Sequence, residues 1–146
     1  MKLPLPPLLF LGCLVGGWGA GRVLPLPLGV EGLFWPLVTG VFVPAALGSS
    51  ALFTFRRHGT THEPHGTPSA LVATGPYRFT RNPMYLALAT LLAWFGLVLD
   101  SAWLLGLVPV LVLLLDRFVI PREESRLRGI FGEAYDAYSR RVRRWL

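Results

Sequence analysis

The sequence predicts an all-α, polytopic membrane protein with about four transmembrane helices, a helical hairpin made by the third and fourth, and a C-terminal cytoplasmic amphipathic helix. Three observations predict it. Apolar residues make up 53% of the 146-residue chain and charged residues only 15%, where a soluble domain carries about 25%. The mean hydropathy is +0.52. The apolar residues fall into long runs, and the arginines fall between or beyond those runs. A disordered chain is excluded, because disorder needs low hydrophobicity. With one cysteine, Cys13, neither a disulfide framework nor a cysteine-based zinc site can form.

A helix that crosses the hydrocarbon needs about 20 mainly apolar residues. The first candidate runs from about Leu5 to Leu28, interrupted by Gly16, Gly17, Gly19, Gly21, Pro25 and Pro27. Neighbouring helices can cover such interruptions. A signal peptide led by Lys2 is the competing reading, and Phe10-Leu11-Gly12-Cys13 has some likeness to a lipoprotein cleavage site. The run before Cys13 is short and rich in proline, and more spans follow, so a retained first helix is expected.

The second candidate runs from Gly32 to Phe55 and ends at Arg56-Arg57-His58. The third runs from Pro83 to Leu99, with Pro83 suited to a first helical turn. Asp100-Ser101 makes a turn so short that the fourth span, Ala102 to Ile120, must return antiparallel to the third. From Pro121 to Trp145 an amphipathic helix is expected, because Leu127, Ile130, Phe131, Tyr135 and Tyr138 recur at three- and four-residue steps. Pro121 should separate it from the fourth span by a kink. The chain reads as one unit over 1–146, with two N-terminal spans in 1–57 and the motif-bearing region in 58–146.

The net charge is +6 and the isoelectric point about 10.4. Nucleic-acid binding is the obvious reading of a basic soluble chain. Here the arginines flank apolar runs, which makes them membrane-edge anchors, and no nucleic-acid partner is expected. With four spans and both termini cytoplasmic, thirteen of the fourteen basic residues lie inside and only Arg22 outside. The positive-inside rule supports that orientation in a cytoplasmic membrane.

Four features carry possible chemistry. Residues 75–85 bring Arg78, Arg81, Tyr77, Tyr85 and Asn82 to the entrance of a span, where free N–H groups and a partial positive charge can hold a carboxylate or phosphate; an ordinary turn with interfacial tyrosines is the plainer reading. Glu123-Glu124 could accept hydrogen bonds from an ammonium or ribose hydroxyls, or offset a sulfonium; they could equally pair with Arg122, Arg126 or Arg128 at helical spacing. Asp116-Arg117 places ionisable groups close to hydrocarbon, a functional position by default, or else an aspartate paired with a snorkelling arginine. His58, His62, His65 and Glu63 could hold zinc in principle, but their spacing fits no helical ligand pair, and no metal is expected.

Leu71-Val72-Ala73-Thr74-Gly75-Pro76-Tyr77-Arg78, then Arg81-Asn82-Pro83-Met84-Tyr85, resembles the signature of the integral-membrane methyltransferases, which include isoprenylcysteine carboxyl methyltransferases and phospholipid methyltransferases. The resemblance continues through Glu123-Glu124, Phe131-Gly132-Glu133, Tyr135 and Tyr138 to Val142-Arg143-Arg144-Trp145, and so covers roughly Gly59 to the C-terminus. It implies S-adenosylmethionine as methyl donor, held on the cytoplasmic side by the last helices and the C-terminal segment. No Gly-x-Gly-x-x-Gly run occurs.

The resemblance also implies roles. Arg81, Pro83 and Tyr85 match the family's Arg-His-Pro-x-Tyr block and would help hold the cofactor, with Arg81 and the helix end suited to its methionine carboxylate. Asn82 stands where the isoprenylcysteine enzymes have histidine, and Asn-Pro-Met-Tyr is nearer to the phospholipid methyltransferases. Glu123 and Glu124 match the paired glutamates associated with cofactor binding. Arg117 corresponds, less clearly in spacing, to the arginine that meets an acidic substrate group. Leu71, Gly75 and Tyr77 would line the pocket. The acceptor implied is a lipid or small lipophilic molecule entering from the bilayer. A non-catalytic membrane protein that keeps the fold is the alternative. A small transporter is disfavoured, because the first two spans hold almost no polar residues for a translocation path.

Overall fold

A computed structural model describes residues 6–30, 34–57 and 70–146, which are helical with no strand among them. Helix α1 covers Pro6–Val23, and residues 24–30 have no regular secondary structure. Helices α2 (Phe34–Gly40) and α3 (Phe42–Arg57) follow, then a 3-10 turn at Gly75–Arg78 and α4 (Pro83–Val98). Helix α5 (Ala102–Leu114) runs through a π turn at Leu115–Val119 into α6 (Ile120–Phe131), and α7 (Glu133–Arg141) ends the helical chain. Among the described residues, two helical stretches are long and apolar enough to cross a membrane, Val38–Arg57 and Ala102–Phe131, and Pro83–Val98 is a shorter apolar helix.

Helix α4 lies at the centre, packed against α1, α3 and α5, and α1 also packs on α5. Phe10, Cys13, Leu92, Leu104, Leu111, Leu115 and Val119 form the buried cluster between α1, α4 and α5. The outer faces stay apolar and exposed: Leu11, Val15 and Trp18 on α1, Val110 and Leu113 on α5. Apolar surface of that kind is what a lipid-facing helix presents and what a soluble monomer rarely shows over a wide area.

Three boundaries depart from the sequence reading, each for a local reason. The second apolar stretch is interrupted at Val41 instead of running as one helix. Pro44 has no N–H to give the Gly40 carbonyl, and bonding resumes with the Ala45 N–H donating to Val41 O at 3.1 Å. At Pro121, where a separating kink is expected, the helical backbone continues without a break through a π turn, in which the Ile120 N–H donates to Leu115 O. The wider turn absorbs the missing N–H of Pro121 without a break. The C-terminal amphipathic helix is two helices, because Gly132 at φ +51 turns the chain between α6 and α7. Tyr135 and Tyr138 are buried as the periodicity implied, with Leu127 and Phe131 packed on them, whereas Ile130 is 40% exposed.

The hairpin between α4 and α5 is clasped at one end of the molecule. Asp100, at φ +48, accepts hydrogen bonds from the N–H groups of Leu28 (2.9 Å) and Val30 (3.4 Å). The Trp103 indole donates to Leu24 O at 2.8 Å and the Ala102 N–H to Leu26 O at 2.9 Å. At the opposite end the last residues of the chain return to the entrance of α4, and there the candidate residues gather.

Candidate functional site

Pro83, buried at the first turn of α4, starts the helix where its missing N–H costs nothing. Asn82 precedes it in the cap position but makes no side-chain cap bond. Its amide instead donates to the Arg144 carbonyl at 2.9 Å. Thr80, itself buried, donates its hydroxyl to the same carbonyl at 3.1 Å, and the Arg81 N–H donates to Arg143 O at 2.9 Å. Main-chain carbonyls of residues 143 and 144 thus fasten the C-terminal tail across the entrance of α4. Below them the Tyr138 hydroxyl donates to the Tyr77 carbonyl at 2.9 Å, which ties α7 to the 3-10 turn.

Arg81 lies two residues before α4 and Tyr85 in its first turn, so both stand at the α4 entrance. Glu123 and Glu124 are adjacent on α6, so their side chains diverge by about 100°. The result is two separate contacts. Tyr85 donates its hydroxyl to Glu123 Oε1 at 2.5 Å. Arg81 Nη2 lies 3.2 Å from Glu124 Oε1, with both side chains largely buried at 14% and 13% exposure. Arg144 also grips Glu124, through Nε to Oε1 at 3.1 Å and Nη2 to Oε2 at 2.7 Å. The remaining Arg144 nitrogen, Nη1, reaches Asp116 Oδ1 at 3.2 Å, and the Trp145 indole donates to the same oxygen at 3.0 Å.

The π turn explains how Asp116 and Glu124 can share one guanidinium. Eight residues along an α-helix end about 80° out of phase. The extra residue taken up by a π turn brings them to within about 20°. Asp116 therefore pairs with Arg144 and not with its neighbour Arg117, and Glu124 pairs across elements and not with Arg122, Arg126 or Arg128.

Of the residues expected from the sequence, Arg81, Asn82, Pro83, Tyr85, Glu123 and Glu124 come together. Leu71, Gly75 and Tyr77 form the adjoining packing layer. Leu71 packs on Tyr135, Tyr138 and Val142. Tyr77 is buried with Ala51 and Val72, its ring edge-on to Phe55 at 5.2 Å, and burial pushes its phenol well above the ordinary range. Gly75, at φ +59, sits so close to α3 that a Cβ would lie 2.7 Å from the Thr54 hydroxyl. A cavity of about 340 Å³ opens beside it, lined by Phe53, Thr54, Arg57, Thr74 and Gly75. Arg117 is exposed beside exposed Phe118 and is outside the cluster. His58, His62, Glu63 and His65 lie outside the described residues; among those described, no group of three His, Cys, Asp or Glu is placed to hold a metal.

Three participants received no role beside the paired glutamates from sequence reasoning: Asp116, singled out only as an ionisable group near hydrocarbon, and Arg144 and Trp145, which belong to the resemblance without an assigned role. The available signal was an Arg-Trp pair closing an otherwise basic tail, together with an aspartate at the end of an apolar helix that needs a cationic partner.

Chemically, the cluster offers two arginines, three carboxylates, a phenol and a helix entrance in one place. Arg81 Nε is buried with no hydrogen-bond acceptor, a donor available to an anionic group of a ligand. The carboxylates suit a cation or hydroxyls.

A model of the phospholipid methyltransferase family matches residues 38–134, which contain Arg81, Tyr85, Asp116, Glu123 and Glu124. Over 64 residues, 43% of this chain, the sequence is 42% identical to an uncharacterized protein of Haemophilus influenzae, all of whose length is covered. No solved structure matches.

Proposed function

The chain belongs to the phospholipid methyltransferase family, and from that premise we propose that it is a membrane methyltransferase that moves a methyl group from S-adenosylmethionine to a lipophilic acceptor. The observation that carries the reading is the meeting of Arg81, Tyr85, Glu123 and Glu124 at the entrance of α4. The residues fit the cofactor's charges. The unpaired Arg81 Nε and the helix entrance suit its carboxylate, and Glu123 and Glu124 suit its ammonium, ribose hydroxyls and sulfonium. When bound, S-adenosylmethionine supplies an electrophilic methyl on a cationic sulfur.

The protein's own contribution is placement. Helices α4 and α6 hold donor and acceptor together, and placement alone contributes several kcal/mol in well-oriented reactions. Trp145 and the tail exclude water from one side. Arg117, on the outer face of the helix, is positioned to meet an acidic group of an acceptor arriving from the bilayer. The acceptor is a phosphoethanolamine lipid, an acidic lipidated molecule or a small hydrophobic compound. In this reading α1, α2–α3, α4 and α5 are four crossings of a cytoplasmic membrane with both termini inside. Residues 58–146 then form the cofactor-binding region of a single 1–146 unit, behind the two N-terminal spans of 1–57.

A second reading has its own observation. Both oxygens of Glu124 are already engaged by arginines, as in a non-catalytic membrane protein that keeps the fold. Calorimetry of the detergent-solubilised protein with S-adenosylmethionine separates the two. The enzyme reading expects micromolar binding that Glu124→Gln abolishes. Absence of binding to folded, lipid-supplied protein favours the second reading.

A further inference from the structure

Arg144 lies beyond the segment that the family model matches, yet it is the residue that joins two of the three acidic positions, Asp116 and Glu124, of the helix running from α5 into α6. Its guanidinium spans Glu124 and Asp116, and the Trp145 indole donates to the same Asp116 oxygen that Arg144 meets. The tail is fastened separately, through the carbonyls of Arg143 and Arg144 to Arg81, Thr80 and Asn82. The side chain of Arg144 is therefore not needed to dock the tail. Its work is on the carboxylates. The Glu124 carboxylate stands between two guanidiniums, and Arg144 supplies two of the three contacts it receives.

The geometry points to Arg144 as a positioning residue of the donor site. Asp116 orients its guanidinium, the guanidinium fixes Glu124 in a two-point contact, and Glu124 so fixed engages Arg81 through Nη2 and leaves Arg81 Nε, which has no acceptor, as the donor for an anionic ligand group. This rests on the methyltransferase reading above. A planar fork is required for the arrangement, because one guanidinium must meet two oxygens of Glu124 and one of Asp116 at once. Lysine keeps the charge but cannot make the fork. A tail that only plugs or braces the protein would tolerate lysine; a positioning fork would not.

Calorimetric titration with S-adenosylmethionine of the wild type, Arg144→Lys, Asp116→Asn and the double variant tests this, with thermal melting of each as the check on folding. The main-chain fastening is intact in all four, so similar melting midpoints are expected. Arg144→Lys should weaken binding about tenfold, a coupling of the size seen for residues within one network. Asp116→Asn should weaken it severalfold in the wild type and by less than about twofold in the Arg144→Lys background, since Asp116 acts through Arg144. Wild-type affinity in Arg144→Lys overturns the proposal, as do additive losses in the double variant or a loss that tracks melting. If the wild type itself binds no S-adenosylmethionine, the methyltransferase reading fails first and takes this one with it; if the wild type binds and the variants match it, only the role of Arg144 falls.

Discussion

Tyr138 shows how one buried hydroxyl can tie the end of the chain to the site. It reaches 61 positions back to the Tyr77 carbonyl and leaves that carbonyl dependent on it. Tyr138→Phe should therefore cost about 1–2 kcal/mol, the usual loss when a buried hydrogen bond is removed and its acceptor stranded. A lower melting temperature checks it. Burial, and then the neighbouring Tyr135, push the Tyr138 phenol up to about 12, whereas an unfolded tyrosine titrates at about 10. The folded chain thus keeps a proton that the unfolded chain gives up in that interval. The contribution is complete below pH about 10 and declines as pH rises through the folded value. Melting followed between pH 9 and 12, as rough limits, should show the wild type losing its advantage over Tyr138→Phe; a constant difference across the range would contradict it. Gly75 makes a second residue-scale test. Its left-handed backbone costs any other L-residue about 1–2 kcal/mol, and a Cβ there meets the Thr54 hydroxyl. Gly75→Ala should lower the melting temperature, and Thr54→Ala in the same chain should restore only part of the loss, because the backbone cost stays. If Gly75→Ala melts like the wild type, the close approach of α3 to the 3-10 turn is not as described.

At the scale of elements, apolar length and turn chemistry made most of the fold legible. The hairpin followed from Asp100-Ser101, the start of α4 from Pro83, and the buried faces of α6 and α7 from Leu127, Phe131, Tyr135 and Tyr138. Half of the site was legible too, since Arg81, Tyr85 and the paired glutamates stand in one motif order. What escaped was register. Nothing in the local pattern around Asp116 announces a π turn, and α-helical geometry assigns it to a different face from Glu124. Partners more than twenty positions away, such as Arg144 for Asp116, are chosen by tertiary packing and not by periodicity. The π turn beside Pro121 was likewise not legible, because a proline announces only a missing N–H and a widened turn answers it without a break in the helix. That difference has a consequence. If Pro121 sustains the π turn, Pro121→Ala should let the helix close with regular spacing and carry Asp116 away from Arg144. Circular dichroism should remain unchanged while affinity for S-adenosylmethionine falls severalfold. Unchanged affinity would mean that the π turn persists without the proline, held by the Asp116–Arg144–Trp145 contacts themselves.

For the whole molecule, the two ends are built differently. At one end the strap 24–30 is stitched to the tip of the α4–α5 hairpin through Asp100 and Trp103. At the other end α7, the tail and the entrance of α4 share the basic residues. Helices α4 and α5 run antiparallel between them, so the two ends must face opposite sides if the chain crosses a membrane. Among the described basic residues Arg22 alone lies beside the strap, at the end of α1, and the cluster-side end carries Arg78, Arg81, Arg140, Arg141, Arg143 and Arg144. On the positive-inside rule, the expected side for the arginine-rich end is the cytoplasm. The single cysteine, Cys13, is buried between helices, which makes the chain suited to a labelling test. Gly29→Cys marks the strap, where a Cβ meets nothing within 4 Å and the left-handed backbone (φ +74) adds a strain of about 1–2 kcal/mol, and Arg140→Cys marks the exposed surface of α7. A membrane-impermeant thiol reagent added to intact cells should label Gly29→Cys and spare Arg140→Cys until the membrane is opened; the reverse order would invert the topology. Labelling of both from outside, or of neither, would remove the four-span arrangement and with it a donor site at the inner membrane surface.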